Sequence, residues 1–165
     1  MKLFRKKKTL QAICDGRCAP LSEMPDEAFA SGMLGVGVTV FPSSDHFFSP
    51  VSGKIESIAE SRHAYTILSQ DGLELLIHIG VDTVEMKGEG FTSHVRAGQL
   101  IRAGDPLADA DLSKISDRGF STAVAVLITN PEKIEITDQR HGSVKGGKDA
   151  LLSYRTAEKG SSCLT

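Results

Sequence analysis

The sequence predicts an all-β domain, an antiparallel sandwich or barrel-like unit with short helical turns. Three observations carry this. Short apolar runs rich in Val, Ile and Leu recur at residues 36–41, 53–58, 65–68, 73–79, 99–101 and 123–128. Turn chemistry separates them, as in Pro42-Ser43-Ser44-Asp45, Ser52-Gly53, Asp71-Gly72, Ala103-Gly104-Asp105 and Asn130-Pro131. No long stretch has a helical period, and 16 glycines against 5% aromatic residues suit strands joined by tight turns. Two short helices fit between the strands: residues 26–31 after Pro25, and 112–116 with Asp111 as N-cap.

The chain of 165 residues is long enough for one domain, and 40% hydrophobic residues can build a core without metal or disulfides. Its boundaries are read as a basic flexible tail over 1–10, a single unit over 11–155 and a polar tail over 156–165. A formal net charge of −2 gives no bias toward nucleic acid. No apolar run is long enough to span a bilayer, and the basic N-terminus lacks a signal-peptide core. Three cysteines, Cys14, Cys18 and Cys163, form no disulfide framework. Together these features predict a cytoplasmic protein standing apart from any membrane-spanning segment. Lys2, Arg5, Lys6, Lys7 and Lys8 interleave with Leu3, Phe4 and Leu10. Weak contact of residues 1–10 with an anionic lipid surface is one reading of that pattern, but a solvated end is the preferred one.

The most informative stretch runs from Ser61 to Phe91. Two strand-like segments flank Ser69-Gln70-Asp71-Gly72, a hairpin turn. If those four residues form the loop, Leu68 pairs with Leu73 and partner numbers add to 141, the sum that His63 and His78 also give. The two imidazoles then face each other with Cβ atoms about 4.5–5.5 Å apart. A two-residue turn makes them diagonal neighbours on one face, whereas a three-residue loop puts them on opposite faces unless a bulge intervenes. Leu73, Leu75, Ile77 and Ile79 alternate onto the core side, which leaves His78 and Leu76 on the other. Gly80 leaves room for a partner to approach.

Two facing histidines have two chemical uses. They can supply ligands to a metal such as zinc, with Asp82 or a partner residue as a third. Alternatively, one ring nitrogen can attack phosphorus while the second imidazole donates to the phosphate oxygens. Spacing alone leaves these open, beside the simpler reading of two unrelated sheet histidines. His46, His94 and His141 have no partner by spacing and are placed on the surface or in loops.

At these residues the sequence resembles the enzyme IIA component of the glucose class of the bacterial phosphoenolpyruvate-dependent sugar phosphotransferase system. The resemblance is carried by LELLIHIGVDTVEMKGEGF, and by PLSEMPDEAFASGMLGVGVTVFP, SPVSGKIESI, VRAGQLIRAGDPLADADL and VLITNPEKI in the same order, covering about residues 13–155. It implies an antiparallel β-sandwich with two histidines in a shallow apolar depression. It implies that His78 accepts a phosphoryl group on Nε2 from the phosphocarrier HPr and passes it to a cysteine of the IIB domain of a sugar permease. His63 then stabilises the phosphate, Ser61 stands where a threonine usually orients that ring, and the Gly80 carbonyl holds the Nδ1 proton of His78. Phe29, Met33, Leu34, Leu76, Val84 and Met86 match rim positions, and Asp26 and Asp82 match carboxylates that meet an arginine of the partner. No cofactor is implied beyond zinc at a partner interface through His63 and His78. Two departures, Gly35-Val36-Gly37 and Ile13-Cys14, avoid the histidine pair.

Two alternatives come from other classes. The glycine-rich turns VRAGQLIRAGDPL and the Met86-Lys87 pair are like those of biotin or lipoyl carriers, with Lys87 as the attachment point. That reading leaves the histidine pair unexplained. A zinc-dependent hydrolase using His63, His78 and Asp82 lacks the HxH pair and the HExxH glutamate.

Overall fold

The computed structural model describes residues 6–156. A large antiparallel sheet has eight strands in the order β13 (Gly142–Val144), β2 (Gly16–Pro20), β3 (Val36–Pro42), β11 (Val124–Ile128), β7 (Glu74–Ile79), β6 (Ala64–Ser69), β5 (Gly53–Ile58) and β9 (Leu100–Ile101). Two three-stranded sheets complete the fold: β1 (Lys8–Gln11), β14 (Ala150–Thr156) and β12 (Ile134–Gln139), and β4 (His46–Phe48), β10 (Pro106–Ala110) and β8 (Phe91–Ser93). The expected helices are present as α1 (Glu27–Ala30), capped by the Asp26 carboxylate on the Ala28 N–H, and α2 (Leu112–Asp117), capped by Asp111 on the Lys114 N–H.

Strand alternation divides the apolar residues between two clusters. Leu75, Ile77 and Ile79 of β7 join Tyr65 and Ile67 of β6 in the main core, which also takes Leu10, Phe47, Leu107 and Leu152 from the smaller sheets. On the other face of the large sheet, Ala123, Ala125 and Leu127 meet Leu21, Met24, Phe29 and Val81, with Leu76 packed against them. Strand β11 is therefore buried on both faces, which is why it reads as an unbroken apolar run. The second cluster lies on the face of the sheet that carries His78, and its Phe29 ring touches the imidazole.

Every apolar run seen in the sequence is a strand, with ends moved by a residue or two. Missing from that reading were the strands at 8–11, 16–20, 46–48, 91–93, 106–110, 134–139, 142–144 and 150–156. They are short, contain proline at an end, or mix polar with apolar side chains, and most pair with strands far away in the chain. The basic tail expected over 1–10 ends sooner, because Lys8 to Leu10 pair with β14 and Leu10 is wholly buried. The polar tail expected from 156 also starts later, since Thr156 closes β14 and is buried. The lipid-contact reading of residues 1–5, and Cys163, lie outside the described residues. Cys14 and Cys18 are buried free thiols.

The hairpin loop differs by one residue from the expected four. Ala64 pairs with His78 and Leu68 with Glu74, and the Ser69 N–H continues the ladder to the Leu73 carbonyl. The loop is thus Gln70-Asp71-Gly72, with Gly72 at φ 89°. The Ser69 hydroxyl recruits the Leu73 N–H at 2.9 Å, which tightens the turn beyond what the sequence spacing showed.

Asp71 then locks this turn to the neighbouring sheet. Its carboxylate accepts from the Ser69 hydroxyl, from the Tyr154 hydroxyl of β14 at 2.9 Å, and pairs with Lys8 of β1 at 3.3 Å. Burial alone would raise its pKa, but the two hydroxyl donors and Lys8 together hold it below the usual carboxylate range. Asp71→Asn is expected to cost about 1–3 kcal/mol in denaturant unfolding at pH 7. A depressed folded pKa means that this stability is present above the ordinary carboxylate range and is lost as the pH falls through the folded value. The gap between wild type and variant should therefore close in acid.

Candidate active site

His78 is the penultimate residue of β7, and its cross-strand neighbours are Ala64 on β6 and Ala125 on β11. Two alanines leave open space beside the ring. Ile77 and Ile79 are drawn into the main core, so alternation sends the His78 side chain to the opposite face. There the Phe29 ring of α1 stacks at a tilt, 4.9 Å between centroids.

His63 reaches the same spot by an irregular route. The register sets it opposite Ile79, whose N–H donates to the His63 carbonyl at 2.7 Å. In a regular strand that offset would turn the ring toward the core beside Tyr65, which overturns the parity argument for a facing pair. The chain escapes alternation because His63 precedes β6 and follows Arg62, which adopts a left-handed conformation at φ 58°. The two imidazoles meet edge to face, with centroids 5.0 Å apart and planes at 83°. The expected juxtaposition is real, but a backbone kink makes it rather than strand pairing.

Gly80 determines which nitrogen of His78 is free. Its carbonyl lies 2.8 Å from His78 Nδ1. A carbonyl only accepts, so Nδ1 carries the proton and Nε2 keeps its lone pair. The carbonyl is held in place by its neighbours: Gly80 N–H donates to Ala123, Val81 N–H donates to Ser121, and the Thr83 hydroxyl donates to Ile79. Gly80 has φ 83°, and a Cβ there would come within 2.4 Å of Thr83 Cγ2 and 3.0 Å of the Ser121 carbonyl.

Both imidazoles are neutral near pH 7. Burial lowers the His63 pKa to about 4, with His78 adding repulsion. Burial also lowers the His78 pKa, opposed by the Gly80 carbonyl and by the charges of Asp26 and Asp82. The Nδ1 of His63 is buried and has no hydrogen-bond partner among the described residues, so the orienting bond expected from Ser61 is not formed. Placing the His63 proton on Nε2 avoids stranding a buried donor.

The other expected site residues divide by exposure. Met33, Val84 and Leu34 are exposed by 75%, 52% and 42%, an apolar rim open to solvent. Leu76 is half-buried, and Phe29 is buried with its ring on His78. Met86 is 2% exposed and belongs to the main core, so it offers no rim surface. Asp82 is exposed at the start of the 3-10 turn Thr83–Met86, while Asp26 is half-buried at the head of α1. The clefts lined by Asp15, Arg17 and Phe41, and by Phe48, His94 and Asp109, include neither His63 nor His78. Sequence spacing missed that His46 and His94 both pair with Asp109, at 2.8 and 3.0 Å. His141 is exposed, as expected. Among the described residues, no three His, Cys, Asp or Glu side chains gather to hold a metal ion.

The family model for the phosphoenolpyruvate-dependent sugar phosphotransferase system, EIIA 1, matches residues 8–134. The chain belongs to this family. It is 35% identical over 148 residues to the glucose-specific EIIA component of the phosphotransferase system of Oceanobacillus iheyensis, covering 89% of this chain and 90% of that protein. It is 40% identical over 146 residues to the glucose-specific EIICBA component of Streptococcus pneumoniae, covering 88% of this chain and 19% of that one. Glucose permease IIA from Mycoplasma capricolum has the same fold, with a TM-score of 0.86 and 36% identity over 90% of this chain and 96% of the other. The protein is accordingly a phosphotransferase-system phosphocarrier with the IIA β-sandwich fold, and the carrier-lysine and hydrolase readings are not favoured. No helix among the described residues is long and apolar enough to cross a membrane.

In imidazole NMR spectra, His63 should stay neutral down to about pH 4, well below the ordinary 6.5. Below pH 6.5 the unfolded chain then binds more protons than the folded one, so stability falls as the pH drops toward about 4. His63→Phe should flatten part of that acid limb in pH-dependent unfolding curves.

Proposed function

We propose that His78 Nε2 takes a phosphoryl group from phospho-HPr and delivers it to a cysteine of the IIB domain of a sugar permease. The observation that carries this is the hydrogen bond from His78 Nδ1 to the Gly80 carbonyl, which leaves Nε2 as an uncharged nucleophile on a half-buried ring packed against Phe29. The Nε2 lone pair forms a bond to phosphorus as the bond from phosphorus to the donor breaks. Both ring nitrogens are then substituted, and positive charge develops on the imidazole. The Gly80 carbonyl and the carboxylates of Asp26 and Asp82 all favour that charged form. His63, neutral with its proton on Nε2, donates to a phosphoryl oxygen. In the second half-reaction a thiolate of the partner attacks phosphorus, the phosphorus–nitrogen bond breaks, and the ring departs with its electron pair. A cationic ring is the better leaving group, so one Gly80 bond serves both capture and release.

The exposed Met33, Leu34 and Val84 supply an apolar docking rim, and Asp26 and Asp82 place negative charge beside it for a basic partner surface. A relay between HPr and the cytoplasmic side of a permease places the protein in the cytoplasm, with no nucleic-acid partner. The same two imidazoles would give two of the ligands of a zinc ion shared with a partner that contributes the rest. Any weak lipid contact would come through the basic segment 1–10, of which Lys8 to Leu10 are held in β1.

His78→Ala is expected to take up no phosphate from phosphorylated HPr, read by intact mass; full uptake by that variant would overturn the assignment. His63→Gln should still be phosphorylated but pass the group on about 10- to 100-fold more slowly in rapid-quench transfer to a IIB domain, because one preorganised donor to the phosphoryl oxygens is altered.

A further inference from the structure

Directly before His63 stands Arg62, a residue with no part in the relay chemistry. Its Nε donates to the Phe91 carbonyl at 3.2 Å and its Nη2 to the Gly88 carbonyl at 3.2 Å. Those carbonyls mark the two ends of one tight turn, closed by the Phe91 N–H donating to Gly88 at 3.1 Å. A planar guanidinium suits two acceptors held side by side. Gly88, at φ 88°, has no side chain where the guanidinium lies, and a Cβ there would come within 2.8 Å of Nη2. Arg62 itself has φ 58°, a conformation that residues with a Cβ seldom take. That same kink brings His63 out of strand alternation.

We propose that Arg62 is a positioning residue that holds His63 against His78. Among the described residues His63 Nδ1 has no hydrogen-bond partner, so packing sets the orientation of its ring. Its aromatic contacts are His78 at 5.0 Å and Phe91 at 6.5 Å, the latter edge-on. Phe91 is buried and stands at the end of the turn that Arg62 grips. Arg62 thus acts twice on His63: through the backbone on one side, and through the Phe91 turn on the other. It also anchors the far end of the loop that leaves Gly80 and carries Asp82 and Val84 to the rim. When the grip is lost, the Phe91 ring no longer backs His63, and the donor that meets the phosphoryl oxygens loses its aim.

The kinetic consequence rests on the relay reading, whereas the positional one does not, and the experiment separates them. Arg62→Asn keeps a side chain that tolerates the left-handed backbone but cannot reach either carbonyl. Arg62→Gly removes backbone strain as well, so that a fold defect in one variant leaves the other to decide. Arg62→Lys retains a single donor. In the unphosphorylated protein, proton–proton contacts between the His63 and Phe91 rings are expected to weaken in Arg62→Asn and Arg62→Gly and to recover in part in Arg62→Lys. In single-turnover transfer to a IIB domain, the maximal rate should fall about tenfold with little change in the acceptor concentration giving half that rate. Onward transfer should fall by more than capture from phospho-HPr. Ring contacts and maximal rates equal to wild type in both Arg62→Asn and Arg62→Gly would overturn the proposal. Should wild type itself accept no phosphate, the relay reading fails and the ring contacts alone decide the role of Arg62.

Discussion

One hydrogen bond organises the chemistry of this protein: the imidazole Nδ1 of His78 donating to the Gly80 carbonyl. A carbonyl has no proton to offer, so the bond selects the tautomer and leaves the second ring nitrogen as a base. The arrangement needs a glycine, because the chain must turn through φ 83° at a point where a Cβ would collide with Thr83. It also needs that carbonyl to stay still, which is the work of Ala123, Ser121 and the Thr83 hydroxyl around it. Geometry two residues beyond His78 therefore determines which of its ring nitrogens is free.

Burial supplies the second condition. Desolvation keeps both imidazoles uncharged, while the Gly80 carbonyl and the flanking carboxylates favour positive charge on His78 alone. The pair is thereby electrostatically unequal: His78 has groups beside it that favour a cation, whereas His63 has burial and the His78 ring against it. That division comes from where the charges lie. Asp26 is fastened to the head of α1 and Asp82 to a left-handed position in the next loop, both on the His78 side. The apolar second cluster packs on the same face of the large sheet, with its Phe29 ring against His78.

Much of this was legible in the chain. Alternation in Leu73, Leu75, Ile77 and Ile79 identified the core face and put His78 on the other, and Pro25 and the Asp111 cap marked the two helices. The loop length was not legible, because a serine hydroxyl at position 69 captured the Leu73 N–H and shortened the turn by one residue. By strand parity that change should have separated the histidines. A single left-handed residue, Arg62, restored them to one site, and no local pattern announces such a residue. Met86 read as rim because it matches a rim position of the family, yet at the end of the 3-10 turn it is buried in the main core. The pairing of His46 and His94 through Asp109 was invisible because the three residues come from separate parts of the chain.

The sequence by itself determined an all-β architecture, the face on which His78 stands, the family and hence the kind of group carried. Those depend on periodicity and on short contiguous motifs, which physical chemistry reads locally. Tertiary structure alone decided that His63 and His78 touch edge to face, that Ser61 forms no bond to His63 Nδ1, and that Arg62 grips the turn from Gly88 to Phe91. Each of these depends on where the backbone departs from its regular path, and departures are settled by contacts between residues tens of positions apart.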